Sequence, residues 1–178
     1  MKLLLQALEF AAECHRGQRR KDADRSPYIN HPIAVASLLV DTGGVTDQIV
    51  IAACFLHDVV EDAGVTPQEL EVRFGAEIRA VVTEVSDDKS LERSVRKRLQ
   101  IEHAPHASPR AKLVKLADKL ANLRDVIERP PVTWSRRRRL EYLEWSAAVV
   151  EGCRGTNPAL ETLFDELLAR GKAALCQG

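Results

Sequence analysis

The 178 residues predict an all-α fold. Apolar residues recur three and four apart through most of the chain, the spacing of helices with one buried face. Strand-like alternation is nearly absent, and Pro, Gly, Ser and Thr fall where helices start and stop. With 45% hydrophobic and 29% charged residues, the composition is that of a soluble globular protein with a core of ordinary size.

The segment MKLLLQALEFAAECHRG is apolar in part, but Glu9 and Glu13 interrupt it at helical spacing. It reads as an amphipathic first helix rather than a signal peptide. The charged stretch from Arg16 to Asn30 follows as a long ordered loop, a type of segment that often carries function. His31 precedes Pro32 at a helix start, and Gly43-Gly44 stops that helix after Asp41. Thr46 is expected to cap a central helix, and Thr66-Pro67-Gln68-Glu69 is a capping box for a helix ended near Gly75.

Residues 76 to 86 form a short helix, and Ser90 is expected to cap another that runs to about Glu102. A turn through His103 and His106 leads to Ser108-Pro109, which opens a long helix to about Glu128. Arg129-Pro130-Pro131 breaks it, Thr133 is expected to start a helix to about Cys153, and Asn157-Pro158 starts the last. The sum is about eight to ten helices in one domain spanning residues 1–178, with no repeat and no linker.

Formal net charge is zero, so no overall field draws in a nucleic-acid polymer or an anionic membrane. No stretch reaches the roughly 18 uninterrupted apolar residues of a membrane span. Cys14, Cys54, Cys153 and Cys176 are scattered without CxxC spacing, which fits reduced thiols in a cytoplasmic setting.

Chemistry concentrates in IVIAACFLHDVVED, Ile49 to Asp62. Eight apolar residues end in His57, Asp58, Glu61 and Asp62, which on a continuous helix share a sector of about 140°. That sector carries Val50, Ile51 and Cys54 earlier, so the polar group extends a buried face. Three carboxylates and an imidazole on one apolar helix repel one another, and acids near a C-terminus also oppose the macrodipole. A divalent cation relieves both costs.

On the long helix, Leu113, Leu116, Leu120, Leu123 and Ile127 form the core stripe. Asp118 lies nearly opposite among Ala111, Val114 and Ala121, with Asn122 one turn on. From that helix alone, Asp118 is equally a solvated charge and a residue of a second packed face.

His31, His57-Asp58 and Asp118 together give the pattern H…HD…D, a ligand set suited to a hard-to-borderline divalent ion such as Mn²⁺. The pattern resembles that of the HD-domain metal phosphohydrolases. The flanks QRRKDADRSPYINHP, FLHDVVED, FGAEIRAVVTEVSDDK and KLVKLADKLANLRD resemble consecutive blocks of the RelA/SpoT hydrolase domain. EYLEWSAAVVEGCRGTN extends the likeness to the C-terminal helices of the stand-alone small alarmone hydrolases, the metazoan SpoT homologue among them.

That resemblance implies a single HD-domain helical bundle without a synthetase domain. It also implies Mn²⁺-dependent removal of the 3′-pyrophosphate of guanosine 3′,5′-bispyrophosphate (ppGpp) or its pentaphosphate relative, giving GDP or GTP and pyrophosphate. By position, His31, His57, Asp58 and Asp118 would hold the metal, and Glu61 and Asp62 would orient and deprotonate the attacking water. General chemistry agrees, since a carboxylate one helical turn from a ligand is placed to take that proton. The remaining histidines, His15, His103 and His106, favour one ion over two.

A polyanionic substrate needs counter-charge. Arg20 and Lys21 precede His31 and match the pair that contacts nucleotide in the family. Lys89, Arg93 and Lys97 are expected to form one basic helix face, and Asn122 shares the face of Asp118. Arg138 and Tyr142 match pocket-lining positions, Trp134 helps to close the pocket, and Tyr28 is assigned to packing only. Two other readings stand beside hydrolysis of ppGpp: a phosphatase acting on another nucleotide, such as the 2′-phosphate of NADPH, and a non-catalytic nucleotide-binding module. Oligomeric state is not readable.

Overall fold

Residues 1–176 are described by a computed structural model. Its ten α-helices are α1 (Lys2–Cys14), α2 (Asn30–Ser37), α3 (Gln48–Leu56), α4 (Val59–Ala63), α5 (Pro67–Phe74), α6 (Ala76–Val85), α7 (Arg93–His103), α8 (Pro109–Glu128), α9 (Arg136–Glu151) and α10 (Pro158–Cys176). A π-helical segment, Leu38–Thr42, prolongs α2, and a 3₁₀ turn, Ala104–His106, joins α7 to α8. The described residues contain no strand, only an isolated bridge between Arg19 and Pro27 within the loop after α1.

Helix α3 is apolar all round and is buried accordingly, with Val50, Ala52, Ala53, Cys54 and Leu56 fully covered. It packs against α1, α2, α6 and α8. Helix α8 is the other spine. Leu116, Leu120 and Leu123 bury one face, while Val114, Ala117 and Ala121 bury a second against α2, α3 and α6. Leu113 and Ile127, expected in the core stripe, are only half-buried. At each fully buried leucine, removal from water contributes about 2 kcal/mol. On the far side α10 comes close at Gly171, where a Cβ atom would stand 2.6 Å from Ile127 Cδ1.

Four local expectations are corrected. Asp47, not Thr46, caps α3 by accepting from Ile49 N at 2.9 Å. Ser90 caps nothing, because Asp88 Oδ1 captures both its amide and its hydroxyl, and α7 starts only at Arg93. Ser135, not Thr133, caps α9.

The fourth correction matters most. Ile49 to Asp62 is not one helix: α3 stops at Leu56 and α4 begins at Val59. His57 Nδ1 lies 2.7 Å from the Cys54 carbonyl and competes for the acceptor that a continuing helix would give to the Asp58 amide. Glu61 and Asp62 therefore sit in the first turn of α4, a helix too short to set a macrodipole against them. Gly64, at φ +71°, closes that short helix in the left-handed conformation.

Candidate metal centre and phosphate pocket

Three elements converge on one point. Helix α2, which begins at Asn30 and not at Pro32 as expected, presents His31 in its first turn, the break between α3 and α4 turns His57 and Asp58 inward, and the second buried face of α8 supplies Asp118. Ligand atoms of His31, His57 and Asp118 all lie within 4.8 Å of one another. His31 Nε2 is 3.1 Å from Asp118 Oδ1, and His57 Nε2 is 3.6 Å from the same oxygen. Asp58 Oδ2 borders the group at 3.1 Å from His57 Nε2 and 3.9 Å from His31 Nε2. His15, His103 and His106 stand outside it.

The donor set fits a divalent cation. Donation from His57 Nδ1–H to the Cys54 carbonyl leaves Nε2 as a lone-pair donor, and that atom is buried without a hydrogen-bond partner. Two imidazoles and two carboxylates, all largely enclosed, make an oxygen and nitrogen shell for a hard-to-borderline ion. The field of the two carboxylates favours positive charge in the cluster. Burial favours the neutral form of His57, but Asp58 and Asp118 outweigh it and hold this imidazole well above its usual range. At His31 burial wins over Asp118, and the pKa is lowered. Burial would raise the Asp118 carboxyl, yet Lys119 and the two imidazoles keep it far below the carboxylate norm.

The acid pair stands beside this cluster. Lys89 donates to Asp62 and lies 3.5 Å from Glu61 Oε1. Glu61 also accepts from the Asp87 amide at 3.2 Å and from Arg96 at 3.5 Å. Burial, then the Asp87 charge, pushes its pKa up.

Two lobes meet at Tyr28, Asp62, Asn122 and Tyr142. The deeper, of about 210 Å³, contains His31, His57, Asp58, Asp118 and Glu61 and is backed by Lys115, Lys119 and Trp145. The outer, of about 530 Å³, is lined by Arg20, Lys21, Lys89, Asp125 and Trp134 among others. Arg20 is fixed there by Asn122 Oδ1 at 3.0 Å and Asp125 Oδ2 at 2.8 Å, while Asn122 Nδ2 donates to Asp118 Oδ1 at 2.6 Å. Burial raises the Tyr142 phenol to about 12.

Not every basic residue singled out in the sequence reaches these lobes. Lys89 lies in the loop before α7, so it shares no helix face with Arg93 and Lys97. Arg93 is exposed and lines neither lobe. Lys97 and Arg138 stand behind the aromatic wall: Lys97 Nζ is 4.7 Å from the Trp145 ring centre, and the Arg138 guanidinium is 4.7 Å from that of Trp134.

Tyr28 is more than packing. Its hydroxyl donates to Asp58 Oδ2 at 2.7 Å and lies 3.3 Å from Asp62 Oδ2. Asp125 and Arg96 were also missed, and only their spacing on α8 and α7 relative to Asn122 and Gln100 could have pointed to them.

The HD domain model matches residues 7–142. The chain belongs to the HD-domain family. Its relatives within that family are specific. It is 56% identical over 164 residues to the human guanosine-3′,5′-bis(diphosphate) 3′-pyrophosphohydrolase MESH1, covering 92% of each chain. The Xenopus tropicalis protein of the same name is 54% identical over 165 residues, covering 93% of this chain and 92% of that one. Among solved structures, a metazoan ortholog of SpoT described as hydrolysing ppGpp superposes with a TM-score of 0.93 at 46% identity, covering 96% of each chain. The HD-domain bundle expected from the sequence is therefore the one observed, and its ligand cluster supports a divalent metal.

Proposed function

We propose that this HD-domain protein acts as one phosphohydrolase unit, a guanosine-3′,5′-bis(diphosphate) 3′-pyrophosphohydrolase. It hydrolyses ppGpp and its pentaphosphate relative to GDP or GTP and pyrophosphate. The observation that carries this reading is the likeness to hydrolases of that name over more than nine tenths of both chains. The paired lobes support it, because the substrate has a nucleotide part and a 3′-diphosphate part.

His31, His57, Asp58 and Asp118 would hold one Mn²⁺, which supplies Lewis acidity to the attacked phosphoryl group and to water. The protein's own groups do the rest. Asp62, steered by Tyr28 and Lys89, takes the proton of the attacking water. Glu61, clamped by Arg96 and the Asp87 amide, orients that water. The water oxygen bonds to phosphorus, the bond to the ribose 3′-oxygen breaks, and that oxygen leaves to be protonated as the 3′-hydroxyl.

In the outer lobe Arg20 and Lys21 face the nucleotide, Trp134 and Tyr142 wall it, and Asn122 links it to the ligand Asp118. Lys97 and Arg138 stiffen the aromatic wall from behind. The partner is a small nucleotide rather than a nucleic-acid polymer. None of the described helices is long and apolar enough to cross a membrane. All four cysteines are unpaired, which supports work in the reducing cytoplasm.

The test is chromatographic. With Mn²⁺ the purified protein should convert ppGpp to GDP and pyrophosphate in equal amounts, and a chelator should abolish this. Orthophosphate released from NADPH, with ppGpp left intact, would replace this substrate assignment.

A further inference from the structure

Lys115 is a largely buried lysine whose ammonium has no partner among the described residues. Its side chain is on the same face of α8 as Asp118, Lys119 and Asn122, it lines the deep lobe, and the residue is 6% exposed. Among the described residues it makes no hydrogen bond and no ion pair, whereas its neighbour Lys119 is tied to Asp118 Oδ2 at 2.9 Å.

Asp87, the acid of the loop between α6 and α7 whose charge acts on Lys115, is engaged elsewhere. Asp87 Oδ2 accepts from Gln100 Nε2 at 2.7 Å and lies 3.8 Å from Arg96. The stem is buried while the unpaired ammonium keeps access to the lobe, and an anion arriving there relieves the cost of enclosing that charge. The lobe that Lys115 lines is also the one that contains His31, His57 and Asp118, and Lys115 does not reach the outer lobe, which joins it at Tyr28, Asp62, Asn122 and Tyr142.

We propose that Lys115 forms an anion subsite for the terminal phosphate of the substrate's 3′-diphosphate. With the nucleotide in the outer lobe and the attacked phosphorus at His31, His57 and Asp118, the terminal phosphate points to Lys115. This subsite selects a diphosphate over a monophosphate at the 3′-position and holds the pyrophosphate product after cleavage. It rests on the hydrolase reading for its substrate, but the affinity for inorganic pyrophosphate can be measured without turnover.

The experiment compares the Mn²⁺-loaded wild type with Lys115→Met and Lys115→Gln by calorimetric titration with inorganic pyrophosphate, orthophosphate and GDP, and by steady-state kinetics on ppGpp. Two variants are run so that a folding defect in one does not leave the question open. Loss of one charge-assisted contact should weaken pyrophosphate binding about tenfold or more and raise KM for ppGpp by a similar factor. Binding of orthophosphate and of GDP should stay within about twofold of wild type. Pyrophosphate affinity unchanged in both variants overturns the subsite. So does an equal loss for pyrophosphate and GDP, which is the signature of a purely structural lysine. A wild type that binds pyrophosphate through Lys115 but releases none from ppGpp would sink the hydrolase reading and leave the subsite standing.

Discussion

The Tyr28 hydroxyl reaches Asp58 Oδ2 at 2.7 Å and Asp62 Oδ2 at 3.3 Å, so one phenol spans a candidate metal ligand and the candidate base. Burial, then the Asp58 charge, drives its pKa far up, which keeps it a proton donor at any working pH. The ring is held between His15, 4.9 Å away centre to centre, and His31 at 6.0 Å.

Tyr28→Phe keeps that stacking and removes only the donor. A hydrogen bond to a charged acceptor is worth about 1.5–3 kcal/mol, so kcat should fall roughly tenfold to a hundredfold. KM for ppGpp and the metal content should change little. Steady-state kinetics with elemental analysis separates this from a folding defect, and an unchanged kcat would return Tyr28 to packing.

The ligands and the base should part under mutation. His57→Ala removes a buried donor from the cluster and should lose both metal and turnover. Asp62→Asn keeps the cluster whole and should retain stoichiometric metal while kcat drops on the order of a hundredfold or more. Full activity in Asp62→Asn would move the base elsewhere.

Arg20 faces the outer lobe under the control of Asn122 and Asp125. Arg20→Ala should raise KM on the order of tenfold and leave kcat within a few fold, because the guanidinium meets nucleotide and not water. Asp125→Asn should give a smaller rise in KM by loosening Arg20. Measured KM and kcat for both variants check the ordering.

Lys115 also predicts a pH effect on stability. Burial, then the neighbouring Lys119, lowers its folded pKa from the 10.5 of a free lysine. The unfolded chain therefore binds the proton more tightly, and wild-type stability rises with pH from the depressed folded value up to about 10.5. Lys115→Met lacks this dependence. Its Tm should exceed that of wild type at neutral pH, and the gap should narrow as pH rises through that window. Thermal melts of both proteins at neutral and alkaline pH test it, and a Tm gap that stays constant with pH counts against it.

Much of the fold is legible in local chemistry. Thr66 and Ser108 cap the helices they were expected to cap, because a side-chain oxygen two or three residues ahead of free amides is a local event. Where two candidates lie close together the prediction slipped by one or two residues, as at Thr46 against Asp47 and Thr133 against Ser135. Spacing on α8 alone left Asp118 open between a solvated charge and a second packed face, and the burial of Val114, Ala117 and Ala121 decides for the face.

By itself the sequence determined an all-α chain, the helix order, and H…HD…D with its flanking acids, because periodicity and short motifs are written in neighbouring residues. The tertiary structure alone decided which residues meet. The grip on Arg20 depends on α8, and Tyr28 finds Asp58 and Asp62 only once the loop after α1 folds back over α4. Contacts between residues 30 to 105 positions apart cost chain entropy that local patterns do not record, so they exist only when the packed helices hold both partners in place.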